Sequence, residues 1–275
     1  MIVDKINQYL TEQGNKSVNE YILKEFGELA KFSFQRQFCT NNEEAVSTGK
    51  LRLSAAGKCP RALAYAFHGF EKKGKEQDSR SAIVFAQGDY VEAMVTQLAK
   101  LSGCVMLGIG LNQVNVKILV KGVEVVGHPD GFIIHNNEMG LFECKSMSSF
   151  SFDRFEKGEL DEGYQAQIQA YMFATGMDWC CIVAANKDSG VMGEKIVYFD
   201  KDIVDEVHEN LAEVLQSTPE DLPDEKYCLD EKKQYPWQCL YCAYWGLCRP
   251  NAEKVLVGRS YKLKEKKETK NETPS

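Results

Sequence analysis

Apolar positions recur along the chain with two different periods. In the first hundred residues they return every three or four residues, which is typical of helices. Residues 1–50 predict one or two polar helices, and we expect the apolar positions of NEYILKEFGELAKF to form a packing face: Tyr21, Ile22, Leu23, Phe26, Leu29 and Phe32. Two more helices are predicted, one in KCPRALAYAFHGF, with Pro60 in its first turn and Gly69 at its end, and one over residues 81–101.

From residue 112 the pattern changes to short β-branched runs. The runs VNVKILV, VEVVGHPDGFIIH, LFECKS, CCIVAANK and KIVYFD predict strands. Helix-like segments stand between the third and fourth runs (DEGYQAQIQAYMFATG) and after the last (KDIVDEVHENLAEVLQ). This order predicts an α/β or α+β fold, in which helices flank a central mixed sheet.

Composition and net charge indicate the class of protein and its expected location. With 275 residues, 44% hydrophobic and 27% charged, the chain is typical of a globular protein, and we expect one compact domain with additions. No apolar run reaches membrane-spanning length and MIVDKINQYL does not resemble a signal peptide, so a cytoplasmic protein without a membrane partner is expected. The net charge of -7 argues against general attraction to nucleic acid, although a local basic groove can coexist with it.

The segment GHPDGFIIHNNEMGLFECKS predicts a hairpin. Asn136 and Asn137 stand at its centre, and asparagine tolerates the positive φ that tight turns require. A two-residue turn sets Asp130 directly opposite Glu143, whereas a four-residue loop would set Asp130 opposite Lys145. Either register brings two carboxylates and a lysine together.

Glu143 and Lys145 share one face of the predicted strand, and Cys144 points to the other. Adjacent carboxylates repel each other, and the common compensation is a divalent cation that prefers oxygen ligands, such as Mg²⁺ or Mn²⁺. A nearby lysine can help to deprotonate the attacking water or offset charge that develops on a phosphate. This combination predicts phosphodiester hydrolysis, whereas an isolated Glu-x-Lys is usually a surface ion pair.

Two helical features can join this cluster. Gln167 and Tyr171 stand four residues apart on one helix face, where an amide and a phenol can contact a phosphate or the lysine. Tyr171 also belongs to an apolar stripe and could serve packing alone. Glu92, four residues after Gly88, is either a third carboxylate of the site or a solvated helical acid.

The order of these motifs resembles the RecB-type branch of the PD-(D/E)XK nucleases. It runs from Gly88 and Glu92 through HPDG and ECK to the Gln-x-x-x-Tyr pair, within residues 81–200 or so. The resemblance implies a restriction-endonuclease-like α/β core and a metal-dependent deoxyribonuclease. Many relatives carry histidine at the position of Glu92, and a carboxylate can also bind the metal.

The resemblance also implies a role for each matching residue. Asp130 and Glu143 match the metal-binding acids, the Cys144 carbonyl a further ligand and Lys145 the catalytic lysine. The glutamine and tyrosine of the helix motif match residues that contact the substrate and brace the site.

The chain has ten cysteines, and without a signal peptide reduced thiols or metal ligation are expected rather than disulfides. CLYCAYWGLC brings Cys239, Cys242 and Cys248 together, and a zinc or iron-sulfur centre held by cysteine alone needs a fourth thiolate. Cys59, which precedes a predicted helix, is the best candidate. Most of the remaining cysteines lie in apolar surroundings, where a buried free thiol is expected; the six are Cys39, Cys104, Cys144, Cys180, Cys181 and Cys228.

One cysteine before the core and three after it is similar to the arrangement in the iron-sulfur exonucleases of the AddB and CRISPR-associated RecB-like families. This resemblance implies that Cys59, Cys239, Cys242 and Cys248 hold a structural [4Fe-4S] cluster. The cluster would join the N-terminal and C-terminal segments around the nuclease core. Cysteine spacing alone leaves Zn²⁺ at the four cysteines as the alternative.

The predicted function is a DNA exonuclease that prefers single strands or free ends, in recombination, repair, phage DNA processing or CRISPR adaptation. Lys58, Arg61 and Lys187 are candidate substrate contacts. The chain lacks a P-loop motif, so unwinding would need a helicase partner, and a recombinase or integrase partner is equally compatible. The alternative is a nuclease-derived module that binds DNA or protein without hydrolysis.

The predicted organisation has four parts. Residues 1–80 form a helical region with the first cluster cysteine, and residues 81–220 form the nuclease core. Residues 221–258 carry the other three cluster cysteines, and residues 259–275 are expected to be a disordered, charged tail.

Overall fold

The computed structural model describes residues 1–12, 19–39, 49–74, 79–258 and 260–266. They divide into two units. Unit 1 contains residues 1–12, 19–39, 50–57 and 79–212, and unit 2 contains residues 49, 58–74, 213–258 and 260–266.

The helices of the described ranges are, in chain order, α1 Ile2–Thr11, α2 Glu20–Phe34, α3 Pro60–Phe67, α4 Ser79–Leu101, α5 Ser149–Glu156, α6 Glu162–Thr175, α7 Lys201–Gln216, α8 Trp237–Leu240 and α9 Trp245–Cys248. Gln35–Cys39 continues α2 as a π-turn, and Leu53–Ala55 and Gly110–Asn112 form short 3-10 turns. Of these helices none combines the length and apolarity needed to cross a bilayer. Pro60 occupies the first turn of α3, as predicted.

The strands are β1 Val105–Leu107, β2 Val116–Val120, β3 Val123–Gly127, β4 Gly131–His135, β5 Glu138–Met147, β6 Trp179–Asn186, β7 Met192–Tyr198, β8 Gln234–Tyr235, β9 Ala252–Val257 and β10 Ser260–Glu265. In unit 1 five of them form the central sheet, in the order β1-β4-β5-β6-β7. Neighbours pair antiparallel except β5 and β6, which run parallel. The predicted mixed sheet is confirmed.

Helices cover both faces of the sheet. The crossover from β5 to β6 carries α5 and α6, as parallel pairing requires. Helix α4 packs against β1 and β5, and α5 and α6 pack against β5 and β6. Every residue of β6 from Cys180 to Asn186 is buried, because this strand has a neighbour on each side and helices on each face.

The β4-β5 hairpin turns at Asn136 and Asn137, whose φ angles are 51° and 63°. The two-residue turn sets His135 opposite Glu138 and, at the far end of the ladder, Gly131 opposite Phe142. This confirms the two-residue register and excludes the four-residue alternative. β5 then continues five residues beyond its last pair with β4.

Other strands differ from the prediction. VEVVGHPDGFIIH contains two strands, β3 and β4, because His128 and Pro129 interrupt it and proline has no N–H for a ladder. β2 and β3 pair with each other in a separate hairpin and do not join the central sheet. The edge strand β1 and the helix α5 were not predicted, since each is too short for a clear period.

The predicted packing face of α2 is only partly correct. Ile22 is buried and Phe26 and Leu29 are partly buried, whereas Tyr21 and Phe32, like Leu23, are exposed. Helix geometry explains the difference, because Ile22, Phe26 and Leu29 share a side whereas the exposed residues lie to either side of it. Buried Ser33 completes the inner side.

Unit 2 contains α3, α8, α9 and a small sheet with the order β8-β10-β9. The disordered tail predicted from residue 259 is wrong for Ser260–Glu265, which form β10 between two antiparallel neighbours. Leu263 is buried there with Leu240 and Ala252, and a single buried apolar side chain is easily missed in a lysine-rich segment. Residues 259 and 267–275 lie outside the described residues.

The turn offers a test of the register. Replacing Asn137 with alanine forces an ordinary side chain to keep a positive φ, so we expect the free energy of unfolding to fall by about 1 kcal/mol. Replacing Asn137 with glycine is expected to maintain or raise it, since such turns favour Asn-Gly. Urea unfolding measures both, and equal losses in the two variants would contradict the turn.

Candidate active site

The site begins where the β4-β5 ladder ends. Past Phe142, β5 has no strand partner on the β4 side, and the chain entering β4 supplies side-chain and backbone groups instead. The backbone N–H of Cys144 donates to Asp130 Oδ2 at 2.8 Å, and the N–H of Asp130 faces Glu143 Oε1 at 3.4 Å. The predicted proximity of Asp130 and Glu143 is therefore confirmed, and the Asp130 carboxylate takes the place of a strand acceptor.

Strand alternation arranges the next two residues as predicted. Lys145 Nζ donates to Glu143 Oε2 at 2.7 Å, while Cys144 points into the apolar cluster that contains Val183. Glu143 is 0% exposed and Lys145 is 14% exposed, so this is not a surface ion pair. The Lys145 ammonium also lies 5.2 Å from the centre of the Tyr164 ring, within the range of a cation-π interaction.

Helix α4 brings a third carboxylate. Gln113 Nε2 donates to Glu92 Oε1 at 3.1 Å. Burial, together with the negative charges of Asp130 and Glu143, raises the pKa of Glu92 to about 9. Glu92 is partly buried and accepts a hydrogen bond from Gln113, which contradicts the alternative of a solvated helical acid.

The charges at the site are unevenly matched. Burial raises the pKa of Glu143 to about 7, helped by Asp130 and opposed by Lys145. Burial disfavours the charged form of Lys145, but the carboxylates of Glu143 and Asp130 outweigh it and raise the pKa of Lys145 above its ordinary value. One lysine thus faces a group of three acids, which favours the binding of another cation.

Helix α6 presents the predicted pair on one face. Gln167 Nε2 lies 3.4 Å from the Tyr171 hydroxyl, and the Tyr171 ring is buried. Burial raises the pKa of Tyr171 to about 12, with Glu143 as the next cause. A Cβ at Gly127 would lie 2.5 Å from the Tyr171 ring, so this ring packs on the end of β3 as well as facing the acids.

The donor set can be compared with what a divalent cation needs. As placed, no group of three or more His, Cys, Asp or Glu among the described residues converges closely enough to hold a metal ion. Each acid is held by a protein donor: Glu143 by Lys145, Asp130 by the Cys144 amide and Glu92 by Gln113. The chemistry of the acids nevertheless fits Mg²⁺ or Mn²⁺, because these ions prefer carboxylate oxygens and would relieve the repulsion that raises two of the pKa values.

Three nearby residues were not predicted. Asp89 lies three positions before Glu92, and Tyr164 lies three before Gln167, so helical spacing could have indicated both. Gln113 follows a 3-10 turn, and no periodic signal connects it with Glu92. Only the fold brings its amide to that carboxylate.

The four predicted cluster cysteines all belong to unit 2. Cys59 precedes α3, Cys239 lies in α8, Cys242 follows it and Cys248 ends α9. Burial raises the pKa of Cys239 to about 12, with further contributions from the other three thiols. The backbone N–H of Tyr244 donates to Cys242 Sγ at 3.4 Å, a contact that stabilises a thiolate.

The ten cysteines, all within the described residues, are free thiols. Cys144, Cys180 and Cys181 are buried, as predicted for thiols outside the cluster. Cys39 and Cys228 are exposed, because they lie at a helix end and in a loop. Cys104 is partly buried.

The candidate substrate contacts belong to both units. Arg61 in unit 2 donates to Glu225 Oε1 at 3.0 Å, and Lys58 of the same unit is exposed. Lys187, in unit 1, is exposed just after β6. A role in DNA binding stays a prediction for all three, and Arg61 already has an ionic partner.

No protein-family model and no curated protein matches this chain. Among solved structures it is similar to SSO0001, with a TM-score of 0.49, 16% identity and coverage of 81% of this chain and 95% of that one. It is also similar to an alkaline exonuclease from Laribacter hongkongensis (TM-score 0.43, 18% identity, coverage 62% and 90%). A third is a phage-related exonuclease from Haemophilus somnus 129PT (TM-score 0.38, 12% identity, coverage 61% and 92%). Likenesses of this extent do not assign an activity to this chain.

The buried acids generate a pH dependence. The pKa values of Glu92 and Glu143 are raised from 4.5 to about 9 and about 7, so the folded state binds more protons than the unfolded state at neutral pH. Their deprotonation therefore destabilises the fold as pH rises. In EDTA we expect the melting temperature of Glu92→Gln to exceed that of the wild type at about pH 8.5, with a smaller difference near pH 5.

The amide of this variant keeps an oxygen that can accept from Gln113. A matched control is Glu28→Gln on α2, whose carboxylate is exposed, and it should follow the wild type at both pH values. A Glu92→Gln protein that is less stable than the wild type at the higher pH would contradict the assigned repulsion.

Proposed function

We propose that this chain is a metal-dependent deoxyribonuclease of the PD-(D/E)XK type, acting as an exonuclease on single-stranded DNA or free DNA ends. The observation that carries the proposal is the contact of Glu143 with both Asp130 and Lys145 past the end of the β4-β5 ladder, with the charge of a third carboxylate, Glu92, acting on the same group. Structural sites rarely concentrate buried acids in this way, because the repulsion costs stability.

Mg²⁺ or Mn²⁺ held by Asp130, Glu143 and Glu92, with the Cys144 carbonyl, would act as a Lewis acid and lower the pKa of the attacking water. Lys145 keeps its proton, since its pKa is raised, and its ammonium can stabilise negative charge on the phosphate. Glu143 holds this ammonium in place through the 2.7 Å contact.

The residues of α6 support this arrangement. The Tyr171 hydroxyl stays protonated because its pKa is raised, so it can donate to a carboxylate or a phosphate oxygen. Gln167 fixes the position of that hydroxyl. On α4, a Cβ at Gly88 would meet no described atom within 4 Å, which leaves free space one turn before Glu92.

The exonuclease activity and the preference for single strands rest on the resemblance of the motifs to RecB-like nucleases. DNA is the proposed substrate, and a helicase, recombinase or integrase is the proposed kind of partner. Recombination, repair, phage DNA processing and CRISPR adaptation are the settings that suit this activity.

We further propose that Cys59, Cys239, Cys242 and Cys248 hold a [4Fe-4S] cluster that stabilises unit 2. Four thiols in one unit match the number and kind of ligands that such a cluster takes. Zn²⁺ at the same cysteines is the alternative, and metal analysis separates the two.

The acids are tested by isosteric variants. Asp130→Asn and Glu143→Gln should lose cleavage of labelled single-stranded DNA with Mn²⁺ by on the order of a hundredfold or more. Glu138→Gln is the matched control, because Glu138 is an exposed acid on the same strand, and it should cleave like the wild type.

Retained cleavage in Glu143→Gln would contradict the proposed role. A wild type that binds DNA but cleaves with neither Mg²⁺ nor Mn²⁺ would favour the alternative of a non-hydrolytic binding module. The pattern of labelled products from strands labelled at either end gives the polarity.

The cluster is tested by colour and metal content. Anaerobically purified wild type should be brown and contain iron and sulfide, and Cys242→Ser should lose most of both. Cys228→Ser is the matched control, because Cys228 is an exposed thiol of the same unit outside the set, and it should keep them. A colourless wild type with bound zinc would contradict the iron-sulfur proposal and support the zinc alternative.

A further inference from the structure

A groove in unit 1 is lined in part by Glu92, one of the three acids of the proposed active site. It runs between α2, α4 and the turn at Gly110–Asn112, and its open space amounts to about 500 Å³ including the part continuous with solvent. The side chains that matter for its chemistry are Phe32, Arg36, Asp89, Glu92, Leu111 and Gln113. The groove and the proposed active site therefore share Glu92, which accepts a hydrogen bond from Gln113 in the same lining.

The charges in this groove are already paired. Of the described residues that line it, Arg36 carries the positive charge, and Arg36 Nη2 lies 2.5 Å from Asp89 Oδ1. Ser33 and Gln37 also donate to Asp89, at 2.7 and 3.2 Å. An anion such as phosphate is therefore disfavoured here, especially beside the carboxylate of Glu92.

The remaining surface is apolar. The Phe32 side chain is 50% exposed and that of Leu111 is 54% exposed, and both line the groove. The Arg36 guanidinium carbon lies 5.9 Å from the centre of the Phe32 ring, which helps to hold the ring in place. The half-exposed Phe32 ring lies in a lining that also contains a neutralised ion pair and the Gln113 amide. This combination suits the binding of a flat, uncharged group with polar edges.

We propose that this groove receives the nucleobase next to the scissile phosphate, stacked on Phe32. This inference rests on the proposed nuclease function and deepens it. A phosphate at the acids leaves its attached nucleoside close to Glu92, and the groove offers that nucleoside an aromatic surface instead of competing charges. Stacking on Phe32 requires a base that is free of its complementary strand, which gives a physical reason for a preference for single strands.

The test compares two oligonucleotides, an ordinary single strand and one whose terminal nucleotides at both ends are abasic. For the wild type we expect the KM of the abasic strand to be higher by on the order of tenfold with kcat little changed, because base stacking contributes to binding. Phe32→Ala should raise the KM of the ordinary strand by a similar factor and abolish the difference between the two strands.

Phe34→Ala is the matched control. Phe34 lies on the same helix, is 52% exposed and does not line the groove, so this variant should discriminate between the strands as the wild type does. Phe32→Leu keeps an apolar side chain without the ring, and it should behave like Phe32→Ala if stacking is the cause. Melting temperatures confirm that the variants are folded.

Equilibrium binding of the same strands, with Ca²⁺ in place of Mn²⁺, makes the test independent of cleavage. If Phe32→Ala and Phe32→Leu lose base-dependent binding, the inference is supported, even where the wild type does not cleave. Absence of cleavage would overturn only the nuclease function. The inference would be overturned if both Phe32 variants still bound the ordinary strand more tightly than the abasic strand, as the wild type is expected to do. It would also be overturned if the wild type bound the two strands equally well.

Discussion

The register of the β4-β5 hairpin is the constraint on which the site depends. Two asparagines with positive φ close the turn, and a strand has a side-chain period of two, so a shift by one residue would send Glu143 into the apolar core and Cys144 toward Asp130. Because β4 begins only at Gly131, the carboxylate of the preceding Asp130 replaces a ladder acceptor at the Cys144 amide. This hydrogen bond thus satisfies the Cys144 amide at the end of the ladder and holds Asp130 beside Glu143.

This arrangement is unfavourable by itself. Three acids share a largely buried space with one lysine, and burial and mutual repulsion raise two of the carboxyl pKa values. Each acid has at least one protein donor, so none is left without a partner, yet the negative charge is not balanced. The proposed divalent cation would offset this negative charge, and a site that is costly in the folded protein is typical of sites retained for chemistry.

The groove proposed to bind the nucleobase differs from the group of acids in charge. Ionic chemistry is concentrated at Asp130, Glu143 and Lys145, whereas the neighbouring groove pairs Arg36 with Asp89 and exposes an aromatic ring. A nucleotide has the same two parts, a charged phosphate and a flat base. The surface next to the acids therefore matches the part of the substrate that is not reacting.

The sequence by itself determined the local features. Asparagines specified the tight turn, strand alternation separated Glu143 and Lys145 from Cys144, and helical spacing placed Gln167 with Tyr171, because each depends on near neighbours in the chain. It failed where distant segments decide: β10 is ordered by the strands on either side of it, β2 and β3 stay apart from the central sheet, and Phe32 remains exposed. Only the tertiary structure brought Glu92 and Gln113 to the acids, since burial and charge repulsion are set by packing across the sheet and helices rather than by spacing.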